Sequence, residues 1–449
     1  MGWPGAGPFI YTILPEPFLS SELARLSNSS SERLSDGIRV DSLTFQPCLL
    51  EEERSQDRLF TQEIPFGLLT GIFDGHFGHE VADLAVAHLP GLVATALDQA
   101  CANNGGSLKP EDVSKILSEQ IVAFDAKMAS DIKDLFPSDL SAIEKMDPDE
   151  VSKIIEDLDV TGSNHAKVLR GMRGSTALLA LVDKQRENLW IANLGDCQAV
   201  MGSKTRSGRW IATPITVNHS GTNPDEVLAV RNQHPGEPLC IVNGRVLGSL
   251  AVTRALGDFV FKLPPIYTSK IFLGAERDFA LDIKYGLLPR CRTPPYISNI
   301  PDVFHLVLPP LPSSTVEDGK EDDVVDRFLI LCSDGLISKS LLSAGYRPSD
   351  PRSMSTVAAQ TFERETIEGW VRVAGARIDA ANASSTEDAN PGVKVVRGDL
   401  KGDVAGDNLA LAILRDILGG DDADQVSQVM TVEMRERFMD DTTIQVIRL

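Results

Sequence analysis

Two short apolar runs that each stop at an Asp-Gly pair constrain this chain more than any other feature. Phe66-Gly-Leu-Leu-Thr-Gly-Ile-Phe73 leads into Asp74-Gly75, and Phe328-Leu-Ile-Leu-Cys332 leads through Ser333 into Asp334-Gly335. Apolar runs of this length, bounded by turn formers, suit buried strands. A third aspartate, Asp440 with Asp441 beside it, stands just before the closing run Thr443–Leu449, which also reads as a strand. Were these strands neighbours of suitable direction, the carboxylates of Asp74, Asp334 and Asp440 would meet at one sheet end. Carboxylate oxygens suit a hard cation such as Mg²⁺ or Mn²⁺. Two such ions about 4 Å apart clamp a phosphate and turn a bound water into a nucleophile. Each Asp-Gly taken alone is an ordinary turn, and periodicity does not establish that the strands converge.

Further elements follow from the same reasoning. After Asp74-Gly-His-Phe-Gly78 the spacing of Val81, Leu84, Ala85, His88, Leu89, Leu92 and Val93 predicts a helix with one buried face. Strands are expected at Ser175–Val182 and Leu189–Val200, with a polar hairpin at 204–208, and a helix near Asp407–Leu418. Residues 1–50 read as an N-terminal extension. Residues 51–449 read as one large α/β unit, elaborated by a polar, helix-like stretch near 104–170 and an exposed loop near 376–405.

Charge excludes some functions. Against 43 Lys and Arg stand 64 Asp and Glu, a net charge of −21, which disfavours nucleic acid and anionic lipid as partners. Six cysteines, at positions 48, 101, 197, 240, 291 and 332, form no C-x-x-C pair and so no zinc framework. The N-terminus lacks a secretory pattern, and no run is read as a membrane span. An intracellular soluble protein, cytoplasmic or of the mitochondrial matrix, is the expectation.

Six motifs in order then supply what spacing lacks. Phe73-Asp-Gly-His76, Arg173-Gly-Ser-Thr-Ala177, Asn193-Leu-Gly-Asp196, the run from Gly244 to Asp258 with Ala255-Leu-Gly-Asp258 at its end, Ser333-Asp-Gly-Leu336 and Asp440-Asp-Thr-Thr443 together resemble the type 2C metal-dependent protein phosphatases, from about Ser55 to Leu449. Gln56-Asp-Arg58, Thr293-Pro-Pro-Tyr296 and Gly406-Asp-Asn-Leu409 resemble the pyruvate dehydrogenase phosphatase branch. The resemblance implies an α+β fold, a four-layer αββα sandwich of two antiparallel sheets flanked by helices. It implies hydrolysis of phosphoserine and phosphothreonine by a water bridging two Mg²⁺ or Mn²⁺ ions. It further implies Asp74 as the bridging ligand, the Gly75 carbonyl, Asp334 and Asp440 as direct ligands, and Asp57 as a ligand or water-orienting carboxylate. His76 is implied as the general acid, and a phosphoprotein as substrate, with a subunit of a mitochondrial dehydrogenase complex as a candidate.

Departures from the family pattern keep an alternative open. Gln56 stands where many relatives have Glu, Phe77 replaces a small residue, Cys197-Gln198 replaces Ser-Arg, and Ile337-Ser338 replaces an aromatic followed by an acid. A third ion near Asp196 is therefore expected to be weak or absent. The alternative is a catalytically silent relative that binds partners through the same fold. Gly202-Ser-Lys-Thr205 misses the spacing of a phosphate-binding loop, Arg54 reads as a solvated side chain, and His219 and His234 read as ordinary polar residues.

Overall fold

The computed structural model describes residues 9–35, 37–48, 55–156, 163–275, 286–312, 320–338, 356–387, 408–433 and 437–449. Contacts divide the chain into two compact units, each discontinuous in sequence. Met1–Ser55, Ala199–Ile215 and Pro309–Leu449 form a terminal unit, and Gln56–Gln198 with Thr216–Leu308 form a central one. Each unit draws on segments far apart in the sequence.

The terminal unit is a six-stranded sheet in the order β1-β2-β16-β15-β9-β10. Its members are β1 (Ser30–Arg33), β2 (Arg39–Phe45), β9 (Gln198–Thr205), β10 (Trp210–Pro214), β15 (Val324–Cys332) and β16 (Thr442–Arg448). Alternate residues of the inner strands, Leu43 and Phe45, Phe328 and Ile330, Ile444 and Val446, face one core. A helical layer covers it, composed of α9 (Thr356–Glu387), α10 (Leu409–Leu418) and α11 (Ala423–Thr431). Helix α10 begins where Asn408 Oδ1 accepts from Leu411 N at 2.8 Å, which satisfies one orphan donor of its first turn.

The first fifty residues differ from the extension expected of them. Helix α1 (Phe18–Leu26) buries Leu19 and Leu23, and β2 lies between β1 and β16 inside the sheet. Pro, Gly and Ser before residue 36 mask this in the sequence, whereas Val40, Leu43 and Phe45 carry the strand. The stretch 376–405 also departs from its reading: 376–387 continues α9, and 388–405 lies outside the described residues.

The central unit is an antiparallel five-stranded sheet in the order β14-β8-β7-β4-β3. It comprises β3 (Arg58–Ile64), β4 (Gly67–Phe73), β7 (Ala177–Asp183), β8 (Asn188–Leu194) and β14 (Asp302–Val307). Two 24-residue helices, α2 (Glu80–Asn103) and α3 (Pro110–Lys133), pack together and onto this sheet. The stretch near 104–170 is mostly helix: α3, then α4 (Leu140–Lys145), α5 (Pro148–Glu156) and α6 (Ser163–Met172). Helix α7 (Pro224–Gln233), a small hairpin of β11 (Ile241–Val242) and β12 (Arg245–Val246), and the single turn α8 (Phe259–Lys262) follow. A third, three-stranded sheet of two-residue strands joins β13 (Leu256–Gly257), β6 (Gly174–Ser175) and β5 (Gly75–His76), in that order.

Each unit therefore contributes one helical layer on one antiparallel sheet, and the α+β class holds. The run Leu189–Val200, expected as one strand, breaks at Gly195, whose φ of 121° ends β8. Helix α2 alone among the described residues is long and apolar enough to meet a membrane-span criterion, contrary to the expectation that no run comes near it. Its Val81, Ala85, Leu89, Val93 and Leu97 are fully buried in the core of the central unit.

Phe45, with no exposed surface, tests whether β2 belongs to the core. Phe45→Ala is expected to cost about 3–5 kcal/mol, read as a lowered urea midpoint; a peripheral arm would show no shift.

Candidate metal and phosphate centre

In the central unit the strand ladder decides which carboxylates meet. Strands β3 and β4 pair Arg58 with Phe73, so the next pair along the ladder is Asp57 opposite Asp74. Strands β4 and β7 pair Ile72 with Leu178. Beyond that rung Thr176 N donates to Asp74 O at 2.9 Å and Asp74 N to Thr176 Oγ1 at 3.2 Å. Strands β7 and β8 pair Ala177 with Leu194, which carries Gly195 and Asp196 to the same sheet end. Asp57 is 2% and Asp196 8% exposed, and Asp74 is half-buried.

Cys197 reports the field these groups make. Burial first, then the charges of Asp74 and Asp196 and, more weakly, Asp57 push its thiol well above its usual range. Its Sγ lies 3.1 Å from Thr176 Oγ1. A cysteine held neutral, wholly buried and bonded to the loop is a packing residue here.

His76 projects from β5 beside this end. Its Nε2 is 2.6 Å from Asp258 Oδ2, with side-chain exposures of 22% and 1%. Burial would push the imidazole down; the charge and hydrogen bond of Asp258, helped by Asp196, outweigh it and hold the group above the usual histidine range. Among the described residues no group bonds Nδ1 of this ring. Phe77 packs edge-on to it at 5.5 Å between centroids, from a backbone φ of 61° that non-glycine residues seldom adopt. Its ring is 38% exposed, so it flanks His76 rather than filling the core.

In the terminal unit, β15 and β16 pair Cys332 with Ile444. The ladder continues through Ser333 N donating to Thr443 O at 3.1 Å and Thr443 N to Ser333 Oγ at 2.9 Å. Asp334 and Asp440 therefore sit at one end of adjacent strands. Gly335 lies directly against the Asp441 carbonyl, where an added Cβ would collide with it. The two neighbouring aspartates divide their work. Asp441, 3% exposed, accepts from Gln46 Nε2 at 2.9 Å and pairs with Arg437 at 3.2 Å. Asp440 is exposed.

Asp57, Asp74 and the Gly75 backbone are thus brought to one sheet end in the central unit, and Asp334 and Asp440 to one strand end in the terminal unit. Among the described residues no three His, Cys, Asp or Glu side chains close into a metal-holding group. Within the central unit the Asp57 and Asp74 carboxylates and the Gly75 carbonyl nonetheless fit a hard cation in their chemistry. They offer only oxygen, and a carboxylate as buried as Asp57, 2% exposed, is costly without compensating positive charge. Arg54 lies outside the described residues. Asp258 and Asp125 were not foreseen as site residues; a charged residue on the otherwise apolar face of α3 was the available signal for Asp125.

The remaining expected non-site residues are structural. His219 Nε2 bonds Asp302 Oδ2 at 2.9 Å while Nδ1 accepts from Gly195 N at 3.2 Å. His234 bonds Thr293 Oγ1 and the Pro295 carbonyl and stacks on Tyr296. Lys204 sits in β9 and pairs with Asp379 at 2.6 Å, which removes any phosphate-loop reading.

His219 gives a pH prediction. Burial, its largest influence, lowers the imidazole pKa, and the Asp302 hydrogen bond only partly offsets this. The unfolded chain then takes up the proton first, so stability falls as pH drops below about 6.5. His219→Gln is expected to flatten urea midpoints between pH 7.5 and 5.5 relative to the unaltered protein.

Known proteins match this arrangement. Residues 146–339 match the protein phosphatase 2C family model. A protein phosphatase 2C homolog of Schizosaccharomyces pombe is 27% identical over 84% of this chain and 72% of its own length. The mitochondrial pyruvate dehydrogenase phosphatase 1 of Saccharomyces cerevisiae is 28% identical over 59% of this chain and 41% of its own. Human mitochondrial pyruvate dehydrogenase phosphatase 2 is 27% identical over 60% of this chain and 53% of its own. The chain spans about half the length of these two pyruvate dehydrogenase phosphatases. With the ordered motifs at the strand ends described above, the chain is similar to the type 2C protein phosphatases, with pyruvate dehydrogenase phosphatases among the proteins it resembles.

Proposed function

We propose that this chain hydrolyses phosphoserine and phosphothreonine in proteins, using two Mg²⁺ or Mn²⁺ ions. The observation that carries the reading is the end of β4, where the Asp74 backbone is locked to Thr176 while His76, two residues on, has its Nε2 held 2.6 Å from Asp258 Oδ2. Asp57, Asp74, the Gly75 carbonyl, Asp334 and Asp440 would hold the ions. When bound, such ions acidify water and neutralise phosphate charge.

This chain's own residues supply the rest. Asp57 and Asp74 place carboxylate oxygens at the sheet end, and the Asp74–Thr176 bonds fix where the strand stops. His76 offers a proton to the departing serine or threonine oxygen, a poor leaving group as an alkoxide, at a gain of about 10²–10⁴-fold. Asp196 is near enough to raise the His76 pKa, and the reading gives it no third ion.

The relatives suggest a substrate. Pyruvate dehydrogenase phosphatases among them make phosphorylated pyruvate dehydrogenase the candidate, with the mitochondrion as the compartment to examine first. The net charge of −21 leaves nucleic acid the least suited partner.

Phosphopeptide turnover is expected with added Mn²⁺ or Mg²⁺ and none in chelator. Asp334→Asn should lower turnover at least about 100-fold while the protein stays folded by circular dichroism. A folded, unaltered protein with no turnover and no calorimetric ion binding would instead establish the silent-relative alternative.

A further inference from the structure

His76 and Asp258 are far apart in sequence, and the small sheet β13-β6-β5 exists in a form that brings them together. Its centre is Gly174. This residue pairs with His76 on one side and with Gly257 on the other. A Cβ on Gly174 would collide with both His76 Nε2 and Asp258 Oδ2. The Arg173-Gly-Ser-Thr motif therefore has a local reason: only glycine lets the imidazole and the carboxylate meet across the middle strand.

The carboxylate is also held in place from behind. Asp258 has a φ of 53°, in the left-handed region, a strained conformation that persists only when its surroundings over-determine it. The surroundings do so. Asp258 N donates to Arg173 O at 2.7 Å. The preceding Gly257 N donates to Asp125 Oδ1 at 2.8 Å. Asp125, 2% exposed on the buried face of α3, also receives Lys262 Nζ at 2.9 Å on both oxygens and Asn299 Nδ2 at 3.0 Å. Lys262 in turn donates to Ala255 O at 2.8 Å. Asp125 thus clasps both ends of the bend that carries Asp258.

Asp258 itself spends only one oxygen on His76; its buried Oδ1 has no hydrogen-bond partner among the described residues.

We propose that Asp258 is the positioning residue of the phosphatase reaction, fixing which nitrogen of His76 delivers the proton, and that Asp125 positions Asp258. The assignment rests on the phosphatase reading above. With Nε2–H donated to Asp258, the transferable proton is on Nδ1. Water oxygen attacks phosphorus and its two protons stay with the phosphate, the P–Oγ bond breaks with its electron pair going to Oγ, and the Nδ1 proton joins that oxygen. The ring is left neutral with Nε2–H still held by Asp258, and solvent restores the proton. A helix read from sequence as an elaboration thereby enters the chemistry.

The test uses two leaving groups. A serine alkoxide needs the proton; a 4-nitrophenolate does not. In the full chain with Mn²⁺, Asp258→Asn is expected to reduce turnover of a phosphoserine peptide about tenfold or more beyond its effect on 4-nitrophenyl phosphate. Asp125→Asn should show the same split at smaller size, and carries the test if Asp258→Asn does not fold. Equal losses on both substrates in a folded variant, or no loss on either, would overturn the assignment. A second readout does not depend on turnover. In metal-free protein the His76 Nε2 proton should resonate far downfield by NMR and lose that position in Asp258→Asn. Its absence from the unaltered protein would overturn the pairing itself, whereas an unaltered protein that shows the resonance but turns over neither substrate would count against the phosphatase reading.

Discussion

The paired hydrogen bonds between the Asp74 and Thr176 backbones and the Thr176 hydroxyl set the terms for the central unit. They close the β4–β7 ladder at the residue where its apolar core ends. Asp57, His76 and Asp196 of the central unit lie close to that closure. Asp57 and Asp74 both follow directly on the last rung of the β3–β4 ladder, Arg58 with Phe73; one strand over, the β7–β8 ladder delivers Asp196. Two residues beyond Asp74, the chain re-enters pairing as β5 and presents His76. A slip of one residue would send Asp74 to the opposite sheet face, so buried packing along Leu69, Ile72 and Phe73 is what aims the polar end.

Much of this was legible in the sequence because strands announce themselves by length and composition. The runs ending at Phe73 and Cys332 and the closing strand are where periodicity put them. The pairings were not legible, because a ladder joins residues with no sequence proximity. Asp57 was named from resemblance alone, and its place opposite Asp74 required the register. Asp258 read as a support for the fold, yet it faces His76 across a two-residue strand too short to leave any periodic trace. The first fifty residues misled for a different reason. Their turn-forming composition is real, but a seven-residue strand with three core side chains suffices to place β2 inside a sheet.

Charge is managed by contrast between neighbours. Asp440 and Asp441 are adjacent and chemically alike, but Asp441 is spent on Gln46 and Arg437 while Asp440 faces outward. Cys197 shows the same principle from the other side: burial first, and then the surrounding carboxylates, keep its thiol protonated and so silence a nucleophile. In both places position in the ladder, not residue type, decides what each group does.

The sheet of the terminal unit also dictates an order of events during synthesis. Strand β2 is made among the first residues, yet its inner neighbour β16 is the last strand of the chain. Until that strand leaves the ribosome, one edge of β2 and one edge of β15 carry unsatisfied backbone groups and exposed apolar side chains, the condition that invites wrong pairing. Pairing of β2 is thus completed by a segment far from it in sequence, and the inner edge of β2 stays unsatisfied until β16 is present.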